Sequence, residues 1–284
     1  CARPDGGVVW SKPGEAPLPT RPTLSEDTVY VRDVADLVVA RDRATGEQRW
    51  RYRRRGDPSR LSELTLYAAP AVVVDDDQVL VGFSDGALVA LDAETGDVRW
   101  DLLVGEGRYP DLVAPPLADG ERIYVSGYLG PLIALDRTSR EVRWRLDVGS
   151  AAAPVLVPRP EGQGSMLVHP GSDGILRAVD PVSGDLLWSW DSDAGGALTT
   201  PVSTEAGLVV ASSGGQLALV DPARGAERWR WSGEKVLLGI TSAPAVEGRQ
   251  IIFTTNAGRI HAMLAPRERR LRPDAEGDGF DLVD

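Results

Sequence analysis

The chain has 284 residues, with 31 lysines and arginines against 42 aspartates and glutamates, and a net charge of −11. An acidic field of this size argues against nucleic acid or an anionic bilayer as the main partner, and no run approaches the roughly 20 apolar residues needed to span a membrane. With 31 Gly, 21 Pro and 8 Trp but 3 Phe and 2 Met, turns are many and helix-forming apolar residues few, which points to an all-β protein.

Reading from the start, the single cysteine is residue one. Neither an internal disulfide nor a cysteine-based metal cluster can form from it. A chain that starts on Cys1 reads as a processed bacterial lipoprotein with its lipid on that residue, and residues 1–6 as a short leash. The alternative is a chain that merely begins there. Ala2 is not the Asp that retains many such proteins at the inner membrane, so the outer membrane is favoured. Next comes GGVVW, which places Trp10 on an apolar strand.

From there the chain repeats with a period of about 45 residues. Five units share an apolar strand ending in Asp, a short turn, and a Trp eight residues after the Asp: Asp42 and Trp50, Asp92 and Trp100, Asp136 and Trp144, Asp180 and Trp188, Asp221 and Trp229. Gly46, Gly96, Gly184 and Gly225 supply the positive φ such a turn needs, with Arg140 the exception. Six residues before the Asp comes a second turn residue: Asp36, Gly86, Gly130, Gly174 or Gly215. About 20 residues before it a proline opens a short strand, at Pro22, Pro70, Pro115, Pro154 and Pro201. Each unit therefore spells four short strands, one propeller blade. A sixth unit starts at Pro244 and stops without its Asp and Trp strand. The strand holding Trp10 is expected to complete it and close the ring, which would remove an exposed edge. The expected architecture is one β-propeller of six four-stranded blades, seven being possible, over residues 7–266, followed by a charged tail at 267–284.

The recurring residues read as structural. A Trp at a fixed place in every blade, Trp10 included, fills the gap between twisted sheets, and the repeated Asp caps its own turn. His169 and His261 lie in unrelated frames, where a metal site needs convergent ligands. Asp75, Asp76 and Asp77 form a solvated turn, and the acidic tail has the start of a calcium-loop spacing but ends before its bidentate Glu. RWRYRRRG is a local basic cluster: Arg49, Arg51 and Arg53 share a strand face, with Arg54 and Arg55 following, to meet an acidic partner or lipid phosphates, or simply to guard a strand edge. No cofactor is expected.

Residues 79–100, VLVGFSDGALVALDAETGDVRW, resemble the PQQ-like propeller repeat, and the resemblance covers nearly the whole chain. Within that superfamily the chain resembles the BamB family of lipoproteins of the outer-membrane β-barrel assembly machinery. The N-terminal Cys, the small size without insertions and the segment DPSRLSELTLYAAPAV at 57–72 carry this likeness. The resemblance implies eight blades where this chain spells six, and a loop before the "AP" strand that docks on the machinery's main barrel subunit; the loop matches in outline. It implies a scaffold anchored through Cys1 to the outer membrane, facing the periplasm. The expected contacts are Arg60, Leu61, Leu64, Leu66 and Tyr67, extended by Tyr109 and Leu112 in the next blade's loop, because apolar side chains beside basic ones on loops resemble interface anchors. The alternatives are a subunit of another envelope machine (secretion, pilus or motility) and a PQQ-dependent dehydrogenase. The dehydrogenases sharing this repeat carry a vicinal cysteine pair, which one cysteine cannot supply.

Overall fold

The computed structural model describes residues 6–55, 70–107, 109–159, 162–193, 195–232 and 239–265. Its described residues form six antiparallel sheets and no helix. The first sheet holds β1 (Thr23–Leu24), β2 (Thr28–Arg32), β3 (Leu37–Asp42) and β4 (Gln48–Arg53), and the second β5 (Val73–Asp75), β6 (Gln78–Gly82), β7 (Ala87–Asp92) and β8 (Val98–Leu103). The third holds β9 (Leu117–Ala118), β10 (Arg122–Ser126), β11 (Leu132–Asp136) and β12 (Val142–Leu146), and the fourth β13 (Val155–Pro158), β14 (Ser165–Pro170), β15 (Ile175–Val179) and β16 (Leu186–Asp191). The fifth holds β17 (Val202–Thr204), β18 (Gly207–Ala211), β19 (Gln216–Val220) and β20 (Glu227–Ser232), and the sixth β21 (Ala245–Glu247), β22 (Gln250–Thr254) and β23 (Ile260–Leu264). Strands pair in chain order, so each repeat unit is one sheet.

The repeat spacing has a direct cause. In each of the first five sheets the register slips by one residue between the third and fourth strands. The slip follows the residue that faces the tryptophan: Ala40 opposite Trp50, Ala90 opposite Trp100, Ala134 opposite Trp144, Ala178 opposite Trp188 and Leu219 opposite Trp229. A bulge of this kind raises the local twist and re-aims the side chain, and the alanine opposite four of the five tryptophans leaves room for an indole to lean out of its own sheet.

It leans onto the next one. Trp50 seats on Gly96, Trp144 on Gly184 and Trp188 on Gly225, each so closely that a Cβ on the glycine would lie 2.5–2.7 Å from the ring. The indole N–H groups donate to backbone carbonyls of those turns, Trp50 to Ala93 at 3.0 Å, Trp144 to Pro181 at 3.0 Å and Trp188 to Pro222 at 2.8 Å. The blade that lacks the glycine breaks the pattern: Arg140 takes φ 63° without one. Trp100 then donates to Gln78 of its own sheet at 3.3 Å, and the Arg140 guanidinium lies 5.5 Å above its ring. Gly130 also departs from the other turn glycines in not adopting a positive φ, because Pro131 follows it and holds the preceding residue extended.

Five apolar clusters lie between consecutive sheets, first with second through to fifth with sixth. Middle strands are buried on both faces: Val79, Leu80 and Val81 are all inaccessible to solvent. Each such side chain stabilises the fold by about 1.5–3 kcal/mol.

The expected ring closure by the N-terminal strand is where the structure differs. Residues 6–22 form no strand, and the sixth sheet has three strands among the described residues. Trp10 still takes the tryptophan's place on the following blade: its indole N–H donates to Arg43 at 2.9 Å, and a Cβ on Gly46 would meet its ring at 2.6 Å. The segment around it covers the first sheet instead of extending the sixth, held by Glu15, which pairs with Arg51 at 2.7 Å and Arg53 at 2.6 Å. The sixth sheet buries Ile251 and Phe253 inward and leaves Ile252, Ile260 and Leu264 exposed on its other face.

Candidate functional site

Strands that alternate in direction bring the second-to-third-strand turns and the connectors between sheets to the same side of the molecule. Hydrogen bonds tie these segments into a belt. Arg54 N–H donates to Asp36, the Val104 and Gly105 amides to Gly86, Ser150 to Gly127, and Ser192 to Gly174, so each connector is fixed to the turn it leaves. Tyr128 donates to Asp111, Ser172 to Gly149, Ser213 to Ala197 and Asn256 to Gly239, which fixes it to the turn it enters. The result is a broad face of loops held by backbone bonds, the part of a propeller where binding residues gather.

Charged side chains knit this face across the first two sheets. Arg32 is buried and reaches Asp36 at 2.5 Å, while Ser84 Oγ donates to the other oxygen of Asp36 at 2.6 Å. Arg54 leaves the end of β4, meets buried Asp85 at 2.8 Å and Asp101 at 2.6 Å, and so bridges to the second sheet. Burial opposes the charge on Arg54, but hydrogen bonds to Asp101 and Asp85 outweigh it and hold its pKa above the ordinary value. The guanidinium groups of Arg32 and Arg54 lie 4.9 and 5.6 Å from the ring of Phe83, a cation–π arrangement. Beside them Asp111 is 2% exposed, and burial pushes its carboxyl up.

On the opposite side the repeated aspartates do what turn aspartates do. Asp42 Oδ1 accepts from the Ala44 and Thr45 amides at 2.9 Å, and Asp92, Asp136 and Asp180 accept from the same two positions of their own turns. The second oxygen binds an arginine that stands just before the tryptophan: Arg49, Arg99, Arg143 and Arg228 pair with Asp42, Asp92, Asp136 and Asp221. In the fourth repeat that place is Leu187, and Asp180 is reached by Arg159 at 2.7 Å instead. Arg49 and then the Thr45 amide hold the Asp42 carboxyl down to about 2, and Arg99 and the Thr95 amide do the same for Asp92. Sequence reasoning missed these pairs, though the signal, an arginine preceding four of the five tryptophans, is visible in the repeat.

The expected contact residues divide. Arg60, Leu61, Leu64, Leu66 and Tyr67, like Cys1, lie outside the described residues. Tyr109 is half-buried on the connector that follows β8. Leu112 is corrected: it is 2% exposed, its amide donates to Phe83 at 3.1 Å, and it packs on Gly82 within an apolar cluster, so it serves the core. Most of the basic cluster is paired internally, since Arg49, Arg51, Arg53 and Arg54 have carboxylate partners, while Arg55 is exposed. His261 stacks on Phe253 at 5.0 Å. His169 is buried against the Val148 carbonyl at 3.0 Å, and burial lowers its pKa to about 4. Among the described residues no group of three or more His, Cys, Asp or Glu side chains is arranged to hold a metal ion, and no helix is long and apolar enough to cross a membrane.

Comparison with known proteins gives this face its context. A curated relative, the outer membrane protein assembly factor BamB of Burkholderia pseudomallei (strain K96243), is 35% identical over 101 residues, 36% of this chain and 26% of that protein. The match thus spans about a quarter of that relative's length. The crystal structure of BamB from Moraxella catarrhalis superposes with a TM-score of 0.73 at 19% identity, over 90% of this chain and 75% of that one. The designed protein Ika8 superposes with a TM-score of 0.64 at 16% identity, over 86% of this chain and 70% of the design. A quinohemoprotein alcohol dehydrogenase of Pseudomonas putida HK5 follows at 0.56 and 17% identity, over 74% of this chain and 41% of the enzyme. These structural likenesses establish the propeller fold. A family model described as outer membrane protein assembly factor BamB matches residues 1–160 and 172–270, and the chain belongs to that family.

Proposed function

We propose that the chain is a non-catalytic scaffold of the bacterial outer membrane that holds an envelope protein complex, a β-barrel assembly subunit foremost, through its connector face. The observation that carries this reading is the family match over residues 1–160 and 172–270. In the same reading Cys1 bears the lipid, residues 1–6 form the leash, residues 7–266 the propeller facing the periplasm, and residues 267–284 a charged tail. The geometry supports it. Loops already bonded to neighbouring turns lose little conformational entropy when a partner docks, and the bridge from Arg54 to Asp85 and Asp101 keeps two adjacent sheets in fixed relation beneath them.

The contact surface proposed comprises Arg60, Leu61, Leu64, Leu66 and Tyr67 together with half-buried Tyr109. Leu112, buried in the core against Gly82, is not part of it. The test is capture of envelope proteins on the tagged full chain. Changing Leu64 and Leu66 to Asp should release the partner at least about tenfold, the loss of roughly 1.4 kcal/mol or more expected when interface anchors are removed. Val142→Asp, at an exposed position on the opposite side, should leave capture intact. A complex that survives the Leu64 and Leu66 changes rejects this face.

A further inference from the structure

The first sheet is covered differently from every other. Between later sheets, the face of one blade is filled by the strands of the blade before it, as Val79, Val81, Val89 and Leu91 are by Tyr30, Val38 and Ala40. On the first sheet residues 9–22 take that place and fill it incompletely. A cavity of about 570 Å³ remains, walled by Val9, Trp10, Leu24, Val29 and Ala44. Two of these wall residues stay open to solvent, Leu24 at 56% and Val9 at 45%, and Val8 beside them is 77% exposed. Trp10 presents its ring to the cavity because its polar N–H is already bonded to the Arg43 carbonyl. Glu26, Asp27, Asp42 and Arg43 stand among the lining residues, with Asp27 and Asp42 sharing Arg49 at 2.7 Å, so an alkyl chain would rest on the apolar wall between charged side chains at the rim.

We propose that this cavity takes an acyl chain of the lipid on Cys1, folding the anchor back onto the first sheet. The inference rests on the lipidation proposed above. Val9 is eight residue steps along the chain from Cys1, and at about 3.5 Å per extended step the tether places the modified cysteine within roughly 28 Å of the cavity wall. The occupant is apolar, and it is tethered within reach of a site whose wall is formed by Val9, Trp10, Leu24, Val29 and Ala44. A propeller holding its own chain in this way is anchored by fewer free chains, and membrane attachment by a single chain is marginal and reversible.

The probe is cis-parinaric acid, a fatty acid that fluoresces when shielded from water, added to the full chain carrying Cys1→Ser. Saturable binding at one site is expected, weakened at least about tenfold by Leu24→Asp, which sits at an exposed position and leaves folding intact. Ala44→Phe, which fills the cavity from the other wall, should weaken it likewise. The lipidated chain should bind the probe at least about tenfold more weakly than the Cys1→Ser form, since its own chain occupies the cavity. Absence of saturable binding, or indifference to both cavity variants, overturns the proposal. Equal binding by lipidated and Cys1→Ser chains overturns it too, as does tighter binding after Ile260→Asp and Leu264→Asp, which would mean that the sixth sheet covers the cavity. An intact mass lacking acyl groups on Cys1 removes the lipid itself, whereas the scaffold reading fails separately, in the capture experiment.

Discussion

Trp50 stands on Gly96: the indole N–H of the first sheet bonds the Ala93 carbonyl of the second, and the ring lies where a Cβ on Gly96 would be 2.7 Å away. The same relation holds between Trp10 and Gly46, and it is how one blade is keyed to the next. Gly96→Ala should therefore cost more than the strain of its φ of 80°. Strain alone is worth about 1–3 kcal/mol. Gly248→Ala, with φ 57° and nothing near its Cβ, measures that strain by itself. Denaturant unfolding of the two variants should rank Gly96→Ala clearly worse. Equal losses would show that the contact with Trp50 carries no weight.

Arg54 offers a second prediction. Its partner Asp85 is 2% exposed, so Arg54→Ala strands a buried carboxylate and should destabilise the protein by about 3 kcal/mol. Adding Asp85→Asn removes the stranded charge and should recover much of the loss. A double variant no more stable than the single one would show that packing, not charge, dominates.

Acid stability tests His169. Its pKa is about 4 in the fold against 6.5 for an ordinary histidine, with burial the leading cause. The unfolded chain then binds the proton that the fold refuses, so stability is unaffected above about pH 6.5 and falls as pH drops towards 4. The full loss amounts to about 3 kcal/mol. Asp42 and Asp92, held down to about 2, contribute above their ordinary value of 3.8, and that contribution is lost as pH falls through about 2, a separate window. His169→Gln should flatten the curve between pH 6.5 and 4 in urea titrations, and an unchanged slope would assign it to other groups.

Much of this fold could be read from the chain because its repeat is written in residues with local consequences. A glycine at positive φ and a tryptophan eight residues past an aspartate identify themselves without a structure. What escaped depended on contacts across long separations. Glu15 pairs with both Arg51 and Arg53 from 36 and 38 residues away, so much of a cluster that reads as a basic patch is an internal tie. Leu112 looks like a loop residue by position, yet Gly82 leaves a hollow that draws it into the core. Trp10 in the sequence points to a closing strand, and its ring is keyed to the first sheet, but the backbone pairing with β23 that would accompany it is missing among the described residues.

The fourth blade supplies a rescue experiment. Arg159 reaches Asp180 because Leu187 holds the place where four other repeats have arginine. Arg159→Ala should cost under about 1 kcal/mol, the usual worth of a surface pair. Leu187→Arg in that background should restore it, as read by thermal unfolding. Failure of the rescue would mean that the arginine before the tryptophan is not interchangeable between blades.

The central claim is that this chain is a scaffold of the outer-membrane assembly machinery. Affinity purification of the tagged chain from gently solubilised membranes, with partners identified by mass spectrometry, tests it most directly. The account predicts co-purification of an outer-membrane barrel protein bearing periplasmic POTRA-type domains, lost when Leu64 and Leu66 are changed to Asp. Recovery of a secretion, pilus or motility complex instead, or of no partner at all, would contradict it.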